Sequence, residues 1–203
     1  MDQHVTQLKP VLKKEKTRLL LLDKAAQMFS QRGYQSTSLK DIAASAGMKA
    51  GSLYYHFASK EALMTEVLDK NIQLISDTVG EEIEKLGDNF NFEEGLHAYI
   101  FGHLTAILKH SDYTTTTIRN DGQVPEAVNK AVRVKREHYE QQWRKLMRQG
   151  KEEGAIRADL DETLLRLMIL GASNWSSIWF KSGGHSIAEL AEQYTQVFLK
   201  GCR

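Results

Sequence analysis

Apolar residues along this chain recur at spacings of three and four, and no stretch alternates apolar with polar positions as a strand does. The pattern predicts an all-α fold. Residues 1–10 are polar and are expected to fray. A helical pattern begins at Leu12 and carries Leu19, Leu22, Ala26 and Phe29 to Gly33, which is placed to end it. Thr37 or Ser38 can cap a short second helix over 39–46, with Ile42 and Ala46 inward. Gly47 breaks that helix, and a third short one follows over 49–56. Ser59 is a good N-cap for a long amphipathic fourth helix carrying Leu63, Val67, Leu68, Ile72, Ile75, Val79 and Leu86.

The second part opens after Gly87 and Asp88. Asn91 with Glu94 makes a start close to a capping box for a helix reaching about Lys109. Residues 111–123 are polar, contain four consecutive threonines, and read as a loop or a weak short helix. Pro125 suits the first turn of the next helix, which runs to about Glu153 with Val128, Val132, Tyr139, Trp143 and Leu146 on one side. Gly154 ends it, and Asp161 starts another. Residues 164–180 are apolar nearly all round, so that helix is expected to be buried on more than one side. Gly183 and Gly184 turn the chain into a last helix with Ile187, Leu190, Tyr194, Val197 and Phe198.

Composition adds limits. A chain of 203 residues, 41% hydrophobic and 26% charged, holds one large domain or two small ones of ordinary globular type. The single cysteine, Cys202, rules out an internal disulfide and a cysteine-rich metal site, and fits a reducing cytosol, so a cytoplasmic protein is expected. The longest apolar runs, 19–22 and 167–170, are too short to cross a membrane, and no membrane partner is expected. Net charge is only +1, but its distribution is uneven. Residues 1–60 hold ten Lys and Arg against four Asp and Glu, a net of +6; residues 61–203 hold seventeen against twenty-two, a net of −5. A basic first segment on an acidic body points to an anionic partner for the first segment alone.

The stretch GSLYYHF, residues 51–57, sharpens that picture. It is apolar in body and hydrogen-bonding at its tips. Two short helices joined through Gly47, the second in a basic neighbourhood, make a helix-turn-helix over about 38–57 whose second helix would enter the major groove. Gly51 lets the backbone approach DNA closely, and Ser52 can meet a phosphate or a base edge. The tips of Tyr54, Tyr55 and His56 reach phosphate oxygens, and their ring bodies meet thymine methyls. Leu53 and Phe57, four apart, face inward. A plain helical corner with half-buried aromatics is the alternative that periodicity leaves open.

These residues carry a resemblance. TSLKDIAASAGMKAGSLYYHFASKEAL, residues 37–63, resembles the DNA-binding segment of the TetR family of one-component bacterial regulators, and the likeness spans roughly 15–75. It implies that Thr37 caps the second helix and touches phosphate, with Ser38 beside it. Gly51 and Tyr54 would sit closest to the bases. Tyr55, His56 and Lys60 would hold phosphates, Lys60 helped by a helix N-terminus. Relatives often carry a small polar residue and then lysine before the glycine; here the order is Lys49-Ala50. The resemblance also implies about nine helices and a homodimer on double-stranded operator DNA. Its implied layout is an arm over 1–14, a DNA-binding domain over 15–75, and a ligand-binding and dimerisation domain over 76–203. Tyr194, Val197 and Phe198 of the last helix would join the helix over 164–180 in the dimer interface; monomer core is the alternative.

GASNWSSIWFKSGGHS, residues 171–186, resembles the C-terminal region of a branch that senses acyl-CoA thioesters. The implied effector is small and hydrophobic, with Tyr139, Trp143, Trp175 and Trp179 as candidate pocket walls and His103, Arg119 and Asn174 as polar contacts. Packing is the competing role for Trp175 and Trp179, and a lipophilic xenobiotic the competing effector. An enzyme is not expected: His97, His103 and His110 are spaced for no common helical face, and no phosphate loop or HExxH motif is present. No cofactor or metal is expected. A helical protein-interaction module remains a distant alternative.

Overall fold

The computed structural model describes the backbone of residues 3–181 and 183–202, and the side chains of residues 13–110, 112–181 and 183–201. Among the described residues there are nine α-helices and no strand. They are α1 (Gln3–Arg32), α2 (Leu39–Ser45), α3 (Ala50–His56), α4 (Lys60–Glu84), α5 (Phe92–Lys109), α6 (Ser111–Arg119), α7 (Glu126–Glu152), α8 (Glu162–Trp179) and α9 (Ile187–Cys202). The expected arm over 1–14 lies outside the described residues for 1 and 2; from Gln3 onward that segment is helical.

The chain packs as two units. One holds the residues up to Lys70 together with Thr115–Val132, and the other holds Asn71–Thr114 and the residues from Arg133 onward. Residues 115–132 thus pack with the N-terminal residues and not with the segments that flank them in sequence.

In the first unit, Leu21, Ala25 and Phe29 of α1 are buried with Ile42 and Ala43 of α2, Leu53 of α3, Phe57, and Leu63, Met64 and Val67 of α4. Local caps fix the short helices. Ser38 caps α2 by accepting from the Asp41 N–H, and Asp41 accepts in return from the Ser38 N–H. That overturns the expected role of Thr37. Its side chain is 1% exposed, and its hydroxyl donates to the Gly33 carbonyl at 2.8 Å. It closes the end of α1 and does not cap α2. Gly47 makes the turn between α2 and α3 at φ +69°, a left-handed conformation that a side chain would strain. Ser59 accepts from the Ala62 N–H and caps α4.

The threonine run forms α6 rather than a loop. Thr116 donates to the Ala26 carbonyl at 2.8 Å. Asn120 accepts from the Tyr34 N–H at 2.5 Å and donates to the Phe29 carbonyl at 3.3 Å. These bonds occupy backbone groups at the end of α1 and tie 115–120 into the first unit.

In the second unit, Phe92, Leu96, Ile100 and Leu104 of α5 form a core with Trp143 and Leu146 of α7, Ile169 of α8, and Ala191 and Leu199 of α9. Asn91 caps α5 in a capping box with Glu94, and Asp161 caps α8 by accepting from Leu164 N–H. The expectation for α8 is corrected. It buries one face, Leu165, Arg166, Ile169, Ser173 and Ser176, and exposes Leu164, Leu167, Met168, Trp175, Ile178 and Trp179. Residues 164, 167, 168, 171, 175, 178 and 179 fall on one helical stripe, so the all-round apolarity consists of a core face and an uncovered face.

Candidate nucleic-acid interface

The α3 helix is short, and its two inward side chains hold it. Leu53 is 0% and Phe57 is 2% exposed. Successive residues on a helix point about 100° apart, so Tyr54 and Tyr55 turn away from that anchor. They are 58% and 70% exposed. Gly51 and Ser52 lie on the same outer surface. A Cβ built on Gly51 meets nothing within 4 Å, and its φ is not positive. Neither packing nor backbone conformation within the chain asks for glycine there. Lys49 is the exposed N-cap of α3 and makes no side-chain cap; Ala50 is half-buried in its first turn.

Cations surround this helix. Lys14 Nζ stands 5.0 Å from the Tyr55 ring centroid, and the Arg18 guanidinium 5.0 Å from that of Phe57. Arg18 is also paired with Glu66 of α4. Partial burial, then the charges of Lys14 and Arg18, hold the His56 imidazole below its usual range, and its Nδ1 is buried without a hydrogen-bond partner. Lys60 lies 4.2 Å above the Tyr34 ring, where burial lowers its ammonium pKa. Tyr34 donates to Glu61 at 3.1 Å, and burial and that carboxylate push its phenol up to about 12. A cleft of about 420 Å3 opens between Ser38, Lys40 and Asp41 on one side and Tyr54 and Lys60 on the other. Lys14 and Arg18 escaped the sequence reading because their approach to α3 is non-local; the basic run of α1 was the available signal.

The ligand candidates fall into three groups. His103, Tyr139 and Asn174 meet inside the second unit. His103 Nδ1 is 2.8 Å from the Tyr139 hydroxyl and Nε2 is 3.0 Å from Asn174 Oδ1. The amide oxygen can only accept, so Nε2 carries the proton and Nδ1 accepts from tyrosine. Burial drives the His103 pKa down to about 4 and raises that of Tyr139, so both are neutral. Trp143 is wholly buried beside them, with Tyr99 edge-on at 5.0 Å. Trp175 and Trp179 do not join them; at 61% and 46% exposed they lie on the outer stripe of α8. Arg119 belongs to the first unit, where it donates to the Ser30 carbonyl at 3.3 Å.

The dimer candidates also divide. Val197 is 66% exposed. Tyr194 is turned toward α8 of its own chain, its hydroxyl 2.9 Å from Ser176 Oγ and donating to the Ala172 carbonyl at 3.3 Å. Phe198 is half-buried against its own core.

Comparison with known proteins decides the family. Residues 21–67 match the profile of bacterial regulatory proteins of the tetR family, and residues 89–202 match the Tetracyclin repressor-like C-terminal domain. The chain belongs to the TetR family. It is 33% identical over 194 residues to the HTH-type transcriptional repressor KstR2 of Mycolicibacterium smegmatis, covering 89% of this chain and 88% of that protein. The solved structure of the ketosteroid transcriptional regulator KstR2 of Mycobacterium tuberculosis is 29% identical with a TM-score of 0.75, over 91% of this chain and 93% of that one. AibR, solved in complex with isovaleryl coenzyme A and operator DNA, shares the fold at 22% identity and a TM-score of 0.75, over 91% of this chain and 97% of its own. Helices α2 and α3 lie inside the matched 21–67 segment. Among the described residues, no helix is long and apolar enough to cross a membrane.

Proposed function

We propose that this TetR-family regulator represses transcription as a homodimer on a pseudo-palindromic operator and is released by a small hydrophobic effector, an acyl-CoA thioester. The carrying observation is α3, which exposes Tyr55 beside Lys14 and Tyr54 on a cleft shared with Lys60, while Leu53 and Phe57 fix it to the core. Tyr54, Gly51 and Ser52 face base edges. Tyr55 and His56 hydrogen-bond to phosphates, Lys60 and Lys49 neutralise them, and Ser38 stands at the rim. The open surface over Gly51 supports this reading, because only something docking from outside would gain from its missing side chain.

The apolar stripe of α8, with Val197 of α9, supports a second copy as its cover. A helix-turn-helix dimer reads half-sites about 34–36 Å apart, so dimerisation fixes which operators fit. KstR2 is named a ketosteroid regulator, which supports a hydrophobic effector, and AibR was solved with isovaleryl coenzyme A, which supports a thioester. His103, Tyr139, Asn174 and Trp143 are the second unit's aromatic and polar core, and a ligand entering there must displace their mutual contacts. Helices α4, α6 and α7 each contribute residues to both units, so they are the covalent routes by which effector binding can alter the reading helix. An effector acts only through unequal affinity for the DNA-competent and incompetent states.

The test begins with sequencing DNA retained by the purified protein. Thioesters are then titrated against that DNA by fluorescence anisotropy. A long-chain or ring-containing acyl-CoA should release the protein, and free coenzyme A should not. The active thioester should also stabilise the fold by about 2.7 kcal/mol at a hundredfold excess over its Kd. Release by lipophilic drugs with no response to any thioester would replace this reading with that of a xenobiotic sensor.

A further inference from the structure

An arginine taken out of water needs acceptors for its five donors. Arg166 of α8 is 5% exposed. It faces Glu140 of α7, Nη1 to Oε2, at 3.5 Å. Charge-assisted bonds of this kind run at about 2.7–2.9 Å, so that contact is loose. The same carboxylate oxygen also accepts from Arg144 Nη2 at 3.1 Å. Arg166 Nε is buried and meets no acceptor in the protein.

Arg166 lines a cavity of about 130 Å3 together with Arg144, Met147, Arg148, Glu162 and Thr163. Three guanidiniums and one carboxylate make up its charged lining. Glu137 and Glu140, on earlier turns of α7, engage Arg144 at 2.5 and 3.1 Å and so take up part of that charge. The remaining donors, Arg166 Nε and the exposed Arg148, have no such claim on them among the contacts described. Arg144 and Arg148 come from adjacent turns of one helix and Arg166 from another. One planar carboxylate is matched by a single guanidinium fork, whereas forks from two helices suit an oxyanion whose oxygens leave in several directions. A liquid water occupies about 30 Å3, so a cavity of about 130 Å3 has room for one phosphate group.

We propose that this cavity between α7 and α8 is an anion site for one phosphate group, held by Arg148 and Arg166 with Arg144 as support. The group can arrive as inorganic phosphate or as the phosphate of a larger metabolite such as coenzyme A. This site lies within the second unit and is separate from the surface assigned to DNA.

Calorimetric titration of the full chain with inorganic phosphate, at ionic strength fixed by chloride and without DNA, tests it. Saturable binding is expected, weakened tenfold or more in Arg148→Gln, whose exposed side chain can be changed without opening the core. Arg166→Gln should lose binding as well, with its melting curve recorded to separate lost binding from lost folding. Displacement of phosphate by coenzyme A identifies the metabolite source, and saturable phosphate binding that coenzyme A leaves untouched identifies free phosphate. Absence of saturable phosphate binding, or unchanged affinity in Arg148→Gln, overturns the proposal. Because no DNA is present, that failure leaves the operator reading standing.

Discussion

Helices α3 and α8 both present large aromatic side chains to solvent, and they do so with opposite chemistry. On α3 the exposed rings are Tyr54 and Tyr55, each with a hydroxyl at its tip, and Lys14 stands over one of them. On α8 the exposed side chains are leucine, isoleucine, methionine and tryptophan, running the length of the helix. Exposure alone would class both as sticky. The difference lies in what each surface leaves unsatisfied. The α3 face offers donors and positive charge to a polyanion, while the α8 face offers only area to something equally apolar. One chain thus carries a surface suited to a polyanion and another suited to an apolar partner, which on the proposed reading are operator DNA and a second copy.

The comparison breaks most visibly at α8. Leu167→Glu with Trp175→Glu should split the dimer, because each carboxylate would be stranded against an apolar partner at a penalty on the order of several kcal/mol per ion. Both side chains are more than half exposed, so the fold should survive. Sedimentation should show monomers, and operator affinity should fall with the lost half-site pairing. A doubly charged variant that still sediments as a dimer would place the interface elsewhere. Val197 suits the same test; Phe198 and Tyr194 do not, since both also pack or bond within their own chain.

His103 sharpens the contrast by showing what full burial does to a titratable side chain. His103 is neutral because burial disfavours its charge, with a pKa of about 4 against 6.5 for the free side chain. The unfolded chain therefore takes up a proton between those values while the native one does not. Stability contributed by His103 is complete above about pH 6.5 and is lost as pH falls toward 4, by about 1.4 kcal/mol per unit and about 3 kcal/mol in all. Urea unfolding at pH 7 and pH 4.5 should reveal that slope, and His103→Gln should flatten it. An unchanged slope in the variant would move the acid sensitivity to other groups.

The legible parts of this protein were the local ones. Caps at Ser59, Asn91 and Asp161 act within one turn, and the inward spacing of Leu53 and Phe57 depends on helical period alone, so the sequence displayed them. What escaped depends on distant partners. Thr37 and Ser38 are both able caps, and the choice is made by the Gly33 carbonyl that takes up Thr37. The threonines of α6 are weak helix formers, yet Thr116 finds the Ala26 carbonyl across the unit and Thr114 donates to Asn71 at 3.0 Å. Trp175 and Trp179 belonged to an apolar helix, and only the packing of α8 showed which of its two faces they occupy. Arg166 gave no sequence signal of burial at all.

Tyr54→Ala tests whether α3 specifies or merely positions. Removing a groove contact should weaken operator binding by about 1–3 kcal/mol while leaving binding to unrelated DNA nearly unchanged. Equal losses on both DNAs would make Tyr54 a backbone contact, and the α3 surface would then differ from α8 in charge alone.

The smallest effect belongs to Lys14, and its size depends on pH. Lys14→Ala removes one cation near the phosphates, so the salt dependence of binding should flatten by about one unit of slope, for operator and unrelated DNA alike. Lys14 is also one of the charges that hold the His56 imidazole below its usual range, after burial and together with Arg18. Removing it lets His56 take up a proton at higher pH. A protonated imidazole beside a phosphate partly replaces the lost ammonium, so the variant's deficit should be smaller at pH 6 than at pH 8. Anisotropy titrations at both values, at one ionic strength, read the difference. Arg18 and its pair with Glu66 stay in place in the variant, so any change in pH dependence traces to Lys14 and His56. A deficit of equal size at both values would show that His56 does not face the phosphates, and Tyr55 and Lys60 would be left as the phosphate-holding groups of that edge of α3.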